Sequence, residues 1–190
     1  MNSQPNKTSL KETILKTVDF LESEGIEYFV LGGVAVSMIG EPRLTADFDL
    51  DLSLEKTQVA DFLGKAKQHS FLVDEGEAKT RSDRFGSFKI FYGDVRIDFI
   101  LASTDLEKEA FGRRQKMVLF GKEMFFPSPE DLILLKIVPG RPKDLIDAES
   151  VVLRHKGKLD QAYLRKWAQK ICDEAEDFRV MRQLDQLLSL

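Results

Sequence analysis

Residues 47–52 read Asp-Phe-Asp-Leu-Asp-Leu, a strict alternation of acid and apolar side chains. An extended strand sorts such a pattern, because successive side chains on a strand point to opposite faces. Phe48, Leu50 and Leu52 then enter a core while Asp47, Asp49 and Asp51 share the other face. Like charges at that spacing repel, so the face calls for water or cations. Asp51 is assigned to solvent or to a supporting place behind the other two.

The flanking sequence predicts alternating helices and strands. Ser9 and Glu12 form a capping box, and Leu10, Ile14, Val18 and Leu21 recur at helical spacing until Gly25. Tyr28 to Leu31 reads as a short buried strand ending in Gly32-Gly33, with Val34 to Ile39 turning back as a helix. Lys56 to His69 reads as a helix with Val59, Phe62, Leu63 and Ala66 inward, and Phe71 to Val73 opens another extended segment. "FKIFYGDVRIDFIL" is a hairpin turning at Gly93-Asp94, and "MVLFGKEMFF" a second turning at Gly121-Lys122. From Ser128 the pattern is helical: Ser128 caps, Pro129 suits the first position, and Glu130 and Asp131 complement the helix dipole. Pro139-Gly140 breaks that helix, Pro142 restarts one to about Lys156, Gly157 ends it, and an amphipathic stretch runs from Leu164 to Leu188. The expected class is α+β, a mixed sheet flanked by helices, with a core over residues 1–126 and a helical part over 127–190.

Composition excludes several alternatives. Hydrophobic residues at 43% with fourteen phenylalanines can fill a sizeable core. The lone Cys172 forms neither an intrachain disulfide nor a thiol zinc cluster, which agrees with a reducing compartment. Met1 to Lys7 is polar, without the apolar centre of a signal peptide, and no later stretch reaches membrane-span length. The expected location is the cytoplasm, with no membrane partner. A net charge of -4 disfavours a broad nucleic-acid-coating surface, although a local basic groove would survive that average.

Asp47 and Asp49 point the same way and are close enough to bind cations that also hold a phosphate chain, as two-metal phosphoryl transfer requires. Such a site wants a third carboxylate on a neighbouring strand. Asp98 is the candidate, because in "VRIDFIL" it alternates against Val95, Ile97, Phe99 and Leu101 and shares its face with Arg96. Taken alone, Asp98 reads equally as an ion-paired or solvated acid. Gly32 and Gly33 let backbone N–H groups approach a triphosphate at a helix start, although a glycine pair alone reads as an ordinary turn.

The joint pattern, "VLGG" at 30–33 followed by "DFD" at 47–49 within "RLTADFDL", resembles the nucleotidyltransferase superfamily related to DNA polymerase β. "SPEDLILLKIVPGRPKDLIDAESVV" looks like the block after the catalytic strands in its small bacterial AbiEii-like and minimal members. The likeness spans about residues 27 to 153. It departs where Pro139 interrupts the approach to Arg141 and where Gly33 replaces a serine common in relatives.

The resemblance implies Mg2+, or Mn2+, held by Asp47, Asp49 and Asp98, with Asp98 also aligning or deprotonating an acceptor hydroxyl. It places Gly32, Gly33, Arg43, Thr45, Lys136, Arg141, Lys143 and Asp144 around the nucleotide. Asp144 and Asp147 would position those cations or the base, while "RPKDLID" reads equally as a charged helix start with local ion pairs. The implied reaction moves a nucleoside monophosphate from an NTP to a hydroxyl or phosphate of RNA, protein or a small molecule, releasing pyrophosphate. A toxin with a cognate antitoxin is one such setting.

A non-catalytic nucleotide-binding or interaction module and a phosphohydrolase using the same acids are the competing readings. His69, His155, Cys172 and Trp167 read as structural. The basic runs "GRRQK" at 112–116 and "RHKGK" at 154–158 read as solvated surface, or as guides for an RNA acceptor if they border the cleft.

Overall fold

The computed structural model describes residues 8–190; the reading of Met1 to Lys7 lies outside them. Helix α1 spans Leu10–Ser23, with the Ser9 hydroxyl accepting from Glu12 N–H at 3.1 Å. Strand β1 (Tyr28–Val30), helix α2 (Gly32–Ile39) and strand β2 (Phe48–Leu52) follow. A single 3-10 turn, Lys56–Gln58, leads into α3 (Val59–Gln68). Then come α4 (Glu75–Phe85), the hairpin β3 (Ser87–Tyr92) and β4 (Val95–Leu101), and α5 (Asp105–Arg113). A second hairpin, β5 (Gln115–Leu119) and β6 (Lys122–Phe126), precedes α6 (Pro129–Ile137), α7 (Pro142–Arg154), α8 (Gln161–Ala175) and α9 (Arg179–Leu188). This is the α+β class.

The sheet runs β1-β2-β4-β3, with β2 and β4 parallel and the outer pairings antiparallel. Its register sets Phe48 opposite Ile97 and Asp49 opposite Asp98. Directly opposed residues share a face, so the apolar residues of β2 and β4 form one surface and the acids line the other. Phe62 of α3 meets the apolar face, with ring centroids 5.4 Å from Phe88, 5.2 Å from Phe99 and 5.3 Å from Phe20 of α1. Truncating such a ring to alanine costs about 3–5 kcal/mol.

Helix α6 is apolar on several sides: Leu132, Ile133, Leu134 and Ile137 are all fully buried beneath the later helices. Asp131 at its start, also fully buried, accepts hydrogen bonds from Tyr163 Oη of α8 at 2.5 Å and Arg113 Nε of α5 at 3.2 Å. These bonds pin α5, α6 and α8 together. Tyr163 is held strongly toward its protonated form by burial and by Asp131.

Several expectations change. The extended segment at 71–73 makes only an isolated bridge, Leu72 to Phe91. Helices α4 and α5 replace stretches that periodicity left unassigned, because α4 buries only Ala78 and Ser82. Capping supplied the missing signal: Asp74 accepts from Glu77 N–H, and Thr104 and Glu107 form a capping box. Helix α2 starts at Gly32 rather than Val34, and the final stretch divides at Glu176, whose φ is 51°.

Asp51 is fully buried, which overturns the solvated alternative for it. Its register neighbours are Phe29 of β1 and Ile100 of β4. Phe29 packs on Phe111 of α5 at 4.7 Å, so α5 closes this end of the acid face.

Candidate active site

Backbone geometry brings the glycine pair onto the acid face. Leu31 N–H donates to Asp49 O at 2.8 Å, tying the end of β1 to the middle of β2. Gly32 then takes φ 59°, and a Cβ there would overlap the Asp49 carboxylate. Only glycine meets both conditions. Among the described residues no side chain caps α2, so its first N–H groups are open to an anion. A Cβ on Gly33 would lie 2.6 Å from Thr45 Cβ and 2.7 Å from Thr45 Oγ1. Thr45 therefore fills the space that a serine at position 33 would need.

The loop carrying Arg43 and Thr45 is fastened to α2 and α7. Ser37 Oγ lies 2.8 Å from Gly33 O and accepts from Arg43 N–H at 3.3 Å. The Arg43 guanidinium grips Asp147 with both arms, Nε to Oδ1 at 2.7 Å and Nη2 to Oδ2 at 2.9 Å. Lys136 Nζ reaches Asp147 at 2.9 Å and Asp144 at 3.1 Å, and Arg141 Nε reaches Asp144 at 2.5 Å. Burial opposes ionisation of Asp147, but the bonds from Arg43 and Lys136 hold it below the usual carboxylate range. Local ion pairing and cleft lining are thus combined in one set of residues.

Gly32, Gly33, Arg43, Thr45, Asp47, Asp49, Lys136, Arg141, Lys143 and Asp144 border one cleft of about 510 Å³, together with Leu44, Ala46, Arg96 and Asp147. Asp98 does not border that volume; it lies beside it, opposite Asp49 in the sheet. Arg96 is the residue that the sequence reading did not assign to the site. Its Nε donates to Asp98 Oδ2 at 2.6 Å and its Nη2 to Asp47 Oδ2. The available signal was its position two residues before Asp98 on the same strand face.

Asp49 is held above the normal carboxylate range, first by burial and then by the charges of Asp98 and Asp47. Lys136 and Arg96 pull in the opposite direction. The basic runs do not border the cleft. Arg113 pairs with Asp131, Arg114 with Glu27 at 2.6 Å, and Lys116 with Glu123 at 3.3 Å. Arg154 donates to Gly40 O at 2.5 Å and Lys156 to Leu190 O at 2.6 Å.

Comparison with known families gives one decisive match. Residues 10–186 match the family described as "Nucleotidyltransferase of unknown function (DUF6036)". The chain belongs to this family. No curated protein matches the sequence significantly. The nucleotidyltransferase superposes on ANT(2'')-Ia bound to adenylyl-2''-tobramycin with a TM-score of 0.58 at 16% identity, covering 96% of this chain and 98% of that one. Lincomycin-bound LnuA, a lincosamide antibiotic adenylyltransferase, gives 0.52 at 12%, covering 77% and 98%. An antigenic nucleotidyltransferase-like protein from Paracoccidioides brasiliensis gives 0.52 at 16%, covering 94% and 95%. At these identities the likeness establishes the fold.

The donor set of this nucleotidyltransferase suits a hard divalent cation, which favours carboxylate oxygens. Asp49 and Asp98 are register partners, Asp47 stands one row away, and no hydrogen bond fixes the Asp49 carboxylate among the described residues. As they stand, no three acidic, histidine or cysteine side chains of the described residues are gathered closely enough to hold a metal ion. Among the described residues no helix is long and apolar enough to cross a membrane.

Proposed function

We propose that this nucleotidyltransferase moves a nucleoside monophosphate from an NTP to a hydroxyl of a small-molecule acceptor, with a divalent cation held by Asp47, Asp49 and Asp98. The carrying observation is the register of Asp49 with Asp98 directly beside the Gly32-Gly33 helix start. Asp47, Asp49 and the N–H groups at the start of α2 border one cleft, with Asp98 beside it.

The N–H groups at the start of α2 take phosphate oxygens, while Lys136, Arg141 and Lys143 balance charge on the departing pyrophosphate. Arg43 and Asp147 hold the loop and Lys136 in position. Asp98, beside the cleft rather than under the triphosphate cations, receives the proton of the attacking hydroxyl. The acceptor oxygen bonds to the α-phosphorus as the bond from that phosphorus to the bridging oxygen breaks, and the electron pair leaves with pyrophosphate. When bound, the cation neutralises charge on the phosphates and on the attacking oxygen. Residues 127–190 complete the cleft in this scheme, since they contribute the three cations.

A small acceptor is favoured over RNA because both basic runs are spent in local contacts away from the cleft. The printed names of two fold neighbours, a lincosamide adenylyltransferase and a complex with adenylyl-2''-tobramycin, agree with it. The test incubates the protein with each α-labelled NTP, Mg2+ and cell extract, then separates RNA, protein and small molecules. Label in the small-molecule fraction, lost in Asp49→Ala, is the expected result. Label confined to RNA overturns the acceptor class, and full pyrophosphate release by Asp49→Ala overturns the mechanism.

A further inference from the structure

Arg96 stands between two acids that the proposed mechanism needs for a metal. Its Nε faces Asp98 Oδ2 at 2.6 Å, and its Nη2 faces Asp47 Oδ2. The sheet explains this placement. Phe48 pairs with Ile97 and Asp49 with Asp98, so continuing the rows puts Arg96 level with Asp47 and two residues from Asp98 on the same face. A planar guanidinium with donors along two edges can serve both carboxylates from that point. Without it, Asp47, Asp49 and Asp98 would form a triad of like charges on neighbouring strands, which lie about 4.8 Å apart.

We propose that Arg96 is a resident counter-ion of the metal-free site, which a divalent cation must displace from Asp47 and Asp98 before it binds. This rests on the reading of those acids as metal ligands. Three features support displacement over a permanent bridge. First, both pairs are open to water: the side chains of Arg96, Asp47 and Asp98 are 47%, 39% and 30% exposed. Ion pairs at such exposure are weak and readily exchanged. Second, the guanidinium occupies one oxygen of each acid, Oδ2 of Asp98 and Oδ2 of Asp47, so a cation that draws both acids together meets Arg96 between them. Third, Mg2+ binds oxygens at about 2.0–2.1 Å in a near-octahedral shell, so a cation drawing on the Oδ2 atoms of Asp47 and Asp98 competes with the guanidinium for the same lone pairs.

Arg96 also borders the cleft, so its long side chain has an adjacent space to enter when released. The apparent metal affinity then equals the intrinsic one multiplied by the fraction of molecules in which Arg96 has let go. It is a positioning residue: it keeps the acidic face intact while empty and sets the threshold for loading.

The test uses Mn2+ alone as the probe, on full-length protein stripped with a chelator. Calorimetric or electron paramagnetic resonance titrations compare the wild type, Arg96→Ala, Arg96→Gln, Arg96→Lys and Asp49→Ala. Arg96→Ala and Arg96→Gln are expected to bind Mn2+ about tenfold more tightly. Removing a charge that acts only at a distance would also tighten binding. Arg96→Lys, which keeps the charge but lacks the two-edged fork, supplies the discriminating readout: displacement predicts Mn2+ binding nearly as tight as in Arg96→Ala, and a distant charge predicts wild-type affinity. Thermal melting checks the linked change in stability. Without metal, Arg96→Ala should melt about 2–4 °C below the wild type, and at saturating Mn2+ that gap should close, because the displaced side chain no longer stabilises the fold.

Unchanged or weaker Mn2+ binding in Arg96→Ala and Arg96→Gln, wild-type affinity in Arg96→Lys, or a melting gap that persists at saturation, overturns the role of Arg96. The last is what a metal using only the free carboxylate oxygens would give. Failure of the wild type and every Arg96 variant to bind Mn2+ overturns the metal reading of the acids and this proposal with it. Binding that is lost in Asp49→Ala but indifferent to Arg96 overturns this proposal alone.

Discussion

Replacing Asp51 with leucine should stabilise the protein and abolish one proton's worth of pH dependence. Asp51 is fully buried in β2, and neither carboxylate oxygen has a well-aligned hydrogen-bond partner among the described residues; the Leu52 backbone N–H is near enough only to offset part of the burial effect. Burial, reinforced by the charge of Glu107, pushes its pKa from 3.8 to about 8. The folded protein therefore keeps this proton across a range in which the unfolded chain has released it. With the folded value raised, the stability associated with the proton is complete below pH 3.8 and is lost as pH rises through about 8.

One proton corresponds to about 1.4 kcal/mol per pH unit, so roughly 4 kcal/mol of stability disappears between about pH 5 and pH 8. Leucine has nearly the same shape and nothing to ionise. The assay is urea unfolding followed by circular dichroism at pH 5, 6, 7 and 8 for both proteins. The difference in unfolding free energy, variant minus wild type, should be positive and should grow by about 1.4 kcal/mol per unit before levelling above pH 8. A constant difference across the range would mean that Asp51 does not titrate between these values. A variant less stable at pH 8 would mean that the carboxylate has a partner that the buried site conceals.

Two further outcomes follow from the cleft. Gly32→Ala places a Cβ against the Asp49 carboxylate at a backbone angle of φ 59°, so stability should fall by about 1–2 kcal/mol and nucleotidyl transfer by at least about a hundredfold; thermal melting and pyrophosphate release measure the two. Lys136→Ala leaves the buried Asp144 and Asp147 short of a counter-charge and should cost about 3–5 kcal/mol in urea unfolding, whereas the exposed Lys143→Ala should leave stability unchanged and raise the KM for NTP.

The parts of the fold written in side-chain alternation were legible before the structure: β2, β4, both hairpins, and the glycine turn. Each depends on a short local pattern. Helix α4 was hidden because its stabilisation comes from its cap and two small buried residues, Ala78 and Ser82, and α5 because its short run buries only Leu106, Ala110 and Phe111 behind a capping box. Missing α5 left the solvated reading of Asp51 open, since alternation assigns a residue to a face but says nothing about what covers it. At the site, Asp47, Asp49, Gly32 and Gly33 announced themselves by spacing. Arg96 did not, because its meaning depends on the parallel register of β2 with β4, and Asp147 gains its role only when Arg43 arrives from a distant loop.

The parallel pairing of β2 with β4 also has a consequence for how the molecule is made. Asp49 and Asp98 are 49 residues apart along the chain but neighbours in the sheet. Two helices, a 3-10 turn and a strand must be threaded between them before they meet. Closing so long a loop gains nothing until the strands dock, which makes this contact a late event in folding. A nascent chain that has not finished β4 carries two acids without their third. Under the proposed metal role of these acids, the capacity to bind a divalent cation tightly arrives only with the completed sheet.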